Sequence, residues 1–141
     1  MNLSGKSLKS LPKISLHDHL DGGLRPATII ELADSVPGLE LPAHDAKALD
    51  RWFVDSADSG SLVEYLKTFD VTCAVMQTAD NLARIAHEFV VDLAGDGVIY
   101  GEIRWAPEQH LRGGVSLDEA VEAVQDGLES GAAEVAKSGR Q

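Results

Sequence analysis

One cysteine, Cys73, occurs in the 141 residues of this chain. No internal disulfide can therefore form, and a cysteine-rich zinc cluster is excluded. A lone thiol fits a reducing cytoplasm, and Cys73, inside an apolar helical stretch, is expected as a small buried hydrophobe. Long apolar runs are missing too: nothing approaches the roughly 18 residues needed to cross a bilayer, and residues 1–10 lack the apolar core of a signal peptide, so a cytoplasmic location is expected. Basic charge is scarce, with 12 Lys and Arg against 23 Asp and Glu for a net charge of −11. Such a surface repels phosphate backbones and anionic lipid, which argues against nucleic acid and membrane partners and leaves a small neutral ligand compatible. There is no internal repeat or low-complexity tract, only a stretch richer in Gly, Pro and Ser over residues 36–60. What is present is the profile of a soluble globular chain, 44% hydrophobic and 25% charged, long enough for one core and hence for one domain or part of one.

Apolar periodicity orders the chain. Leu11, Ile14 and Leu16 lead a short strand up to His17 and His19. Pro26 suits a first helical turn, followed by Ile29, Ile30, Leu32, Ala33 and Val36 before Pro37-Gly38. A shorter helix is expected over residues 46–53 with Asp45 as its cap. Ser61 and Glu64 have capping-box spacing, and Leu62, Tyr65, Leu66 and Phe69 recur on one helical face. Leu82, Ile85, Ala86, Phe89, Val90 and Leu93 repeat the pattern, with Asp80 as the expected cap and Gly95-Asp96-Gly97 as the stop. Residues 98–105 read as a second strand. Ser116 and Glu119 then open a helix through Ala120, Val121, Val124 and Leu128, whose far end Gly127 and Gly131 weaken by about 1 kcal/mol each relative to alanine.

Strands separated by helices pair in parallel through crossovers, which indicates an α/β fold, either a doubly wound sheet or a (β/α) barrel. A complete eight-stranded barrel needs roughly 200 residues or more. Two strands cannot close one, so residues 1–141 are expected as a single partial domain with open sheet edges and exposed apolar faces.

The chemistry is expected at His17 and His19. Alternate strand residues share a face, so both imidazoles can reach one cation at about 2.0–2.1 Å, and Gly22 and Gly23 let the chain turn just beyond them. Asp18 faces the other way. The plainer alternatives are two ordinary polar residues at a strand end, and an Asx-turn for Asp21. Glu102 and Arg104 share a face of the second strand and are expected as a structural ion pair. His44, His87 and His110 have no partner at ligand spacing and are expected at the surface or in local hydrogen bonds.

The segment His17-Asp18-His19-Leu20-Asp21-Gly22-Gly23-Leu24-Arg25-Pro26, with the Leu11-Pro12-Lys13-Ile14-Ser15-Leu16 that precedes it, resembles the first barrel strand and loop of the adenosine deaminases, members of the metal-dependent amidohydrolase superfamily. Val98-Ile99-Tyr100-Gly101-Glu102-Ile103-Arg104-Trp105-Ala106-Pro107 is similar to their second strand. The resemblance implies the N-terminal part of a (β/α)8 TIM barrel, with two parallel strands and several helices. It implies Zn2+, one ion per complete site, held here by His17 and His19. The reaction implied is hydrolytic deamination of adenosine, and of 2′-deoxyadenosine, to inosine and ammonia by water that the zinc activates. A purine nucleoside would be bound by His19 and Asp21, with Asp21 on the ribose 5′-hydroxyl, and covered by Leu62, Tyr65, Leu66 and Phe69. Tyr65 departs from the phenylalanine of vertebrate-type enzymes. Aspartate rather than glutamate at position 21 favours the nucleoside over free adenine.

No catalytic residue is assigned within this chain, because the family's remaining zinc ligands, its catalytic glutamate and its water-orienting histidine belong to later strands. The missing C-terminal portion of the barrel is therefore expected to be required, and the 141 residues alone to lack turnover. Two alternatives stand beside this reading: a deaminase of adenine or another aminopurine, and a non-catalytic remnant that binds a partner through its open sheet edge. The other zinc deaminase class, with its Pro-Cys-x-x-Cys pair, is excluded by the single cysteine.

Overall fold

Two strands and five helices make up the computed structural model, which describes residues 11–138. Residues 1–10, where no signal-peptide core is read, and 139–141 lie outside the described residues. Strand β1 (Lys13–His19) runs into a single 3-10 turn, Leu20–Gly22. Helix α1 (Pro26–Ala33) follows with Pro26 at its first position, where a missing N–H costs nothing. Helix α2 (Ala46–Ala57) begins at the expected cap, the Asp45 carboxylate accepting from Ala48 N at 3.0 Å, but continues a turn further than expected.

Helix α3 (Leu62–Val75) starts under Ser61, which accepts from Glu64 N. Glu64 does not return the bond to complete a capping box; it pairs with Lys67 at 2.7 Å. Helix α4 (Ala79–Gly95) is capped by Thr78, whose hydroxyl accepts from Asn81 N at 3.2 Å. Asp80 lies in the first turn instead, where its charge still complements the helix dipole. Strand β2 (Val98–Arg104) leads through a 3-10 turn, Pro107–His110, to helix α5 (Leu117–Lys137), which carries the full Ser116–Glu119 capping box.

The strands pair in parallel, so α1 to α4 form the crossover between them. Fully buried Leu20, Ile29, Leu49, Met76, Leu82 and Ile85 form the centre of one core beneath these helices. Helices α4 and α5 pack most closely, and the glycines that weaken α5 on paper explain how. A Cβ on Gly127 would collide with the Ala83 carbonyl, and one on Gly131 would press on His87 and Val90 at 2.8–2.9 Å. The flank of the sheet is open as expected: Ile14, Leu16, Ile99 and Tyr100 are each more than half exposed. Among the described residues no helix is long and apolar enough to cross a membrane.

Candidate functional site

The end of β1 does not follow the strict alternation that the sequence suggests. Between Ser15↔Gly101 and Asp18↔Ile103, three steps of β1 oppose two of β2. The extra residue makes a bulge, a feature that re-aims side chains. At the bulge His17 has φ +58°, a left-handed conformation for a residue with a Cβ. The His17 and His19 rings nevertheless meet, with centroids 5.3 Å apart and planes tilted by 45°. Asp18 turns to the other side, takes the Ser15 hydroxyl at 2.8 Å, and shares a niche with Phe89 and Asp92.

Asp21 sits in the tight turn after the strand. Leu20 anchors that turn in the core, Gly23 N donates to Leu20 O at 3.2 Å, and Gly23 lies so close to Phe89 that any side chain would strike the ring. The Asp21 side chain is only 14% exposed, and its Oδ1 lies 3.4 Å from His19 Nδ1. That approach is too long for a well-formed hydrogen bond, and Asp21 Oδ1 is a buried oxygen with no hydrogen-bond partner. Native structures rarely leave a buried acceptor empty, because its lost hydration costs about 1–3 kcal/mol.

From Asp21 a cleft of about 290 Å³ runs between α2 and α3, walled by Asp50, Phe53, Tyr65, Thr68 and Phe69 among others. Tyr65 and Phe69 stand edge to face, 5.4 Å apart. Of the expected nucleoside-binding residues, Asp21, Tyr65 and Phe69 thus share one cleft, and His19 stands outside its lining. Leu62 and Leu66 do not wall it; they are 70% and 51% exposed. The buried face of α3 is Thr68, Val71, Thr72, Cys73 and Val75, so of the apolar stripe Phe69 is half-buried while Leu62, Tyr65 and Leu66 stay exposed. Asp50 is a cleft residue that sequence reasoning missed, since one more acid on a polar helix carries no signal of its own.

Other expectations resolve differently. Glu102 and Arg104 form no ion pair among the described residues; both are exposed, and Glu102 accepts from the Tyr100 hydroxyl at 3.1 Å. His110 is buried, not at the surface. Its Nδ1 lies 3.1 Å from Met76 O and its ring 5.6 Å from that of Trp105, because the Pro107–His110 turn tucks it inward; burial lowers its pKa. Cys73 is buried as expected, and desolvation raises its thiol pKa. His87 links α4 to α5 through Ser130 and Glu134, each at 3.1 Å, and His44 is exposed in a loop.

Two adjacent imidazoles beside an unsatisfied carboxylate suit a divalent ion with a preference for nitrogen and oxygen donors. They amount to half a coordination set: among the described residues no group of three or more His, Cys, Asp or Glu side chains is placed to hold a metal.

The family model described as adenosine deaminase matches residues 12–140. Over 124 residues the chain is 56% identical to adenosine deaminase 1 of Streptomyces coelicolor, an alignment covering 88% of this chain and 31% of that one. The crystal structure of Arabidopsis N6-mAMP deaminase is similar with a TM-score of 0.70 and 33% identity, over 89% of this chain and 36% of that one. A Burkholderia ambifaria amidohydrolase solved with bound Zn shares the fold, with a TM-score of 0.71 at 24% identity over 95% of this chain and 36% of that one. The chain spans about a third of the length of the curated relatives it matches.

Proposed function

The chain belongs to the adenosine deaminase family, its parallel strands and five helices forming part of a (β/α)8 barrel, and from that premise we propose that its residues serve zinc-dependent hydrolytic deamination of adenosine and 2′-deoxyadenosine, yielding ammonia and the corresponding inosine, in the cytoplasm. One observation carries the reading. Asp21, whose buried Oδ1 has no donor, lines an aromatic cleft and stands next to a histidine pair at a strand end.

His17 and His19 would hold the metal, and a zinc ion there supplies a Lewis acid that lowers the pKa of water towards about 7. Asp21 accepts the ribose 5′-hydroxyl, which gives its empty oxygen the donor it lacks. Tyr65 and Phe69 cover the purine and keep water from its faces. The exposed Leu62 and Leu66 extend that apolar cover once a nucleoside is in place. Groups that move protons on the purine belong to the remaining two-thirds of the family's length, so the 141 residues alone are inactive.

A chimera tests this directly. Residues 12–138 replace the matching segment of the Streptomyces coelicolor enzyme, and inosine formation is followed with and without a chelator. Zinc-dependent turnover is expected, with its loss in His17→Ala and in His19→Ala. A folded chimera that holds zinc but leaves adenosine unchanged would overturn the reading. The 141-residue protein is expected to form no inosine under the same conditions.

A further inference from the structure

On the far side of the core from the sheet end, His87 of α4 stands between two side chains of α5. Its Nδ1 is 3.1 Å from the Ser130 hydroxyl, and its Nε2 is 3.1 Å from a Glu134 carboxylate oxygen. An ionised carboxylate only accepts, so Glu134 draws the ring proton of neutral His87 to Nε2. The lone pair on Nδ1 then takes the Ser130 proton. Close packing of the two helices makes this contact, because Gly127 and Gly131 flank Ser130 and a Cβ on either would press on Ala83, His87 or Val90. Beside the ring lies a hollow of about 330 Å³, walled by Ala83, Arg84, His87, Asp126, Gly127 and Ser130.

We propose that Ser130 is a nucleophile toward small activated esters, with His87 as its general base and Glu134 as the residue that positions His87. Both relations that such chemistry needs are in place, nucleophile to base and base to orienting acid. Ser130 is exposed and lines the hollow, so an acyl group seated there meets its oxygen. Ser130 Oγ bonds to the acyl carbon, its proton passes to His87 Nδ1, and the ester C–O bond breaks as the alcohol departs with that proton. Water then attacks the acyl-serine with the same base, releasing the carboxylic acid and restoring the hydroxyl. Ser130 lies within α5, so the N–H groups around it are spent along the helix and do not serve a developing oxyanion. Arg84, the cation of the hollow, already gives its hydrogen bonds to Glu31 and Glu88. The site therefore depends on its base, which confines it to esters with good leaving groups such as phenolates. It shares no residue with the His17, His19 and Asp21 site, so either reading can fail without the other.

The test uses the intact 141-residue chain and p-nitrophenyl acetate in mildly alkaline buffer. Release of p-nitrophenolate is followed, and acylated serines are located by peptide mass mapping. Ser130 should acylate about a hundredfold faster than Ser59, the low end of what a positioned base contributes. Ser59 is the internal reference because it is exposed and its hydroxyl bonds backbone carbonyls instead of a histidine. Ser130→Ala should abolish the fast release. His87→Gln keeps a polar link to α5 but supplies no base, and it should abolish the fast release while the circular dichroism spectrum stays that of the parent. Glu134→Gln, at a side chain 61% exposed and so tolerant of exchange, should slow it several-fold. Equal acylation of Ser130 and Ser59 would overturn the proposal. So would an undiminished rate in either His87→Gln or Glu134→Gln.

Discussion

Thr28 on α1 donates its hydroxyl to Glu88 on α4 at 2.6 Å, across 60 residues of chain. The contact is the middle rung of an antiparallel polar ladder. Arg25 pairs with Asp92 at one end, and Arg84 pairs with Glu31 at 3.0 and 2.7 Å at the other, with Arg84 Nε also 3.1 Å from Glu88. Thr28 is buried and the Glu88 side chain is only 14% exposed, so removing the carboxylate strands a hydroxyl and weakens both arginine rungs. Glu88→Ala should cost about 2 kcal/mol in urea unfolding. Glu88→Gln, which keeps an acceptor for Thr28, should cost visibly less.

The α4–α5 contact predicts a reversal of ordinary helix propensity. Gly95, near the end of α4, has open space around the position of a Cβ, whereas Gly127 faces the Ala83 carbonyl and the Ala86 methyl. Gly95→Ala should therefore stabilise by up to about 1 kcal/mol, and Gly127→Ala should destabilise by about 1–3 kcal/mol because the helices must separate. Chemical denaturation of both variants settles it, and a gain at both positions would mean that the helices tolerate a wider spacing.

His17 predicts a trade between stability and binding. Its φ of +58° suits glycine, so His17→Gly should raise stability by about 1 kcal/mol while His17→Ala should not. Two histidines keeping half of a structural site's affinity would bind zinc with about 5–8 kcal/mol, in the micromolar to millimolar range. Calorimetry should show that affinity in the parent chain and its loss in both variants. Undiminished zinc binding by His17→Gly would remove His17 from the metal site.

His110 predicts a pH dependence. Burial lowers its pKa below 6.5, against an opposing pull from its Met76 hydrogen bond and the charge of Asp21. Between that lowered value and the unfolded one, the unfolded chain binds more protons. Stability should then rise with pH through the window below about 6.5 and level off above it. The stability difference between parent and His110→Leu should shrink from about pH 7.5 to about pH 5.5, and parallel profiles would show that His110 does not couple to folding.

Much of this architecture was legible in local pattern. The strand ends, the caps at Asp45, Ser61 and Ser116, and the paired histidines follow from spacing and turn chemistry, which act over a few residues and so are written in the order of side chains. The resemblance to adenosine deaminases was likewise carried by contiguous residues, and the match over residues 12–140 bears it out. Less legible was which face each helix buries. The apolar stripe of α3 is expected to cover a nucleoside as a unit, yet only Tyr65 and Phe69 wall the cleft, while Thr68 and Val71 turn inward and Leu62 and Leu66 stay outside.

Local sequence determined where strands and helices form and that two imidazoles stand close together, because backbone preferences are short-ranged. Tertiary structure alone decided the bulge that aims His17, the empty oxygen of Asp21, the acid at Asp50 across the cleft, and the burial of Glu88 and His110. Each of these depends on which distant segment comes to lie against it. That outcome is set by packing summed over the whole chain, and no window of neighbouring residues contains it.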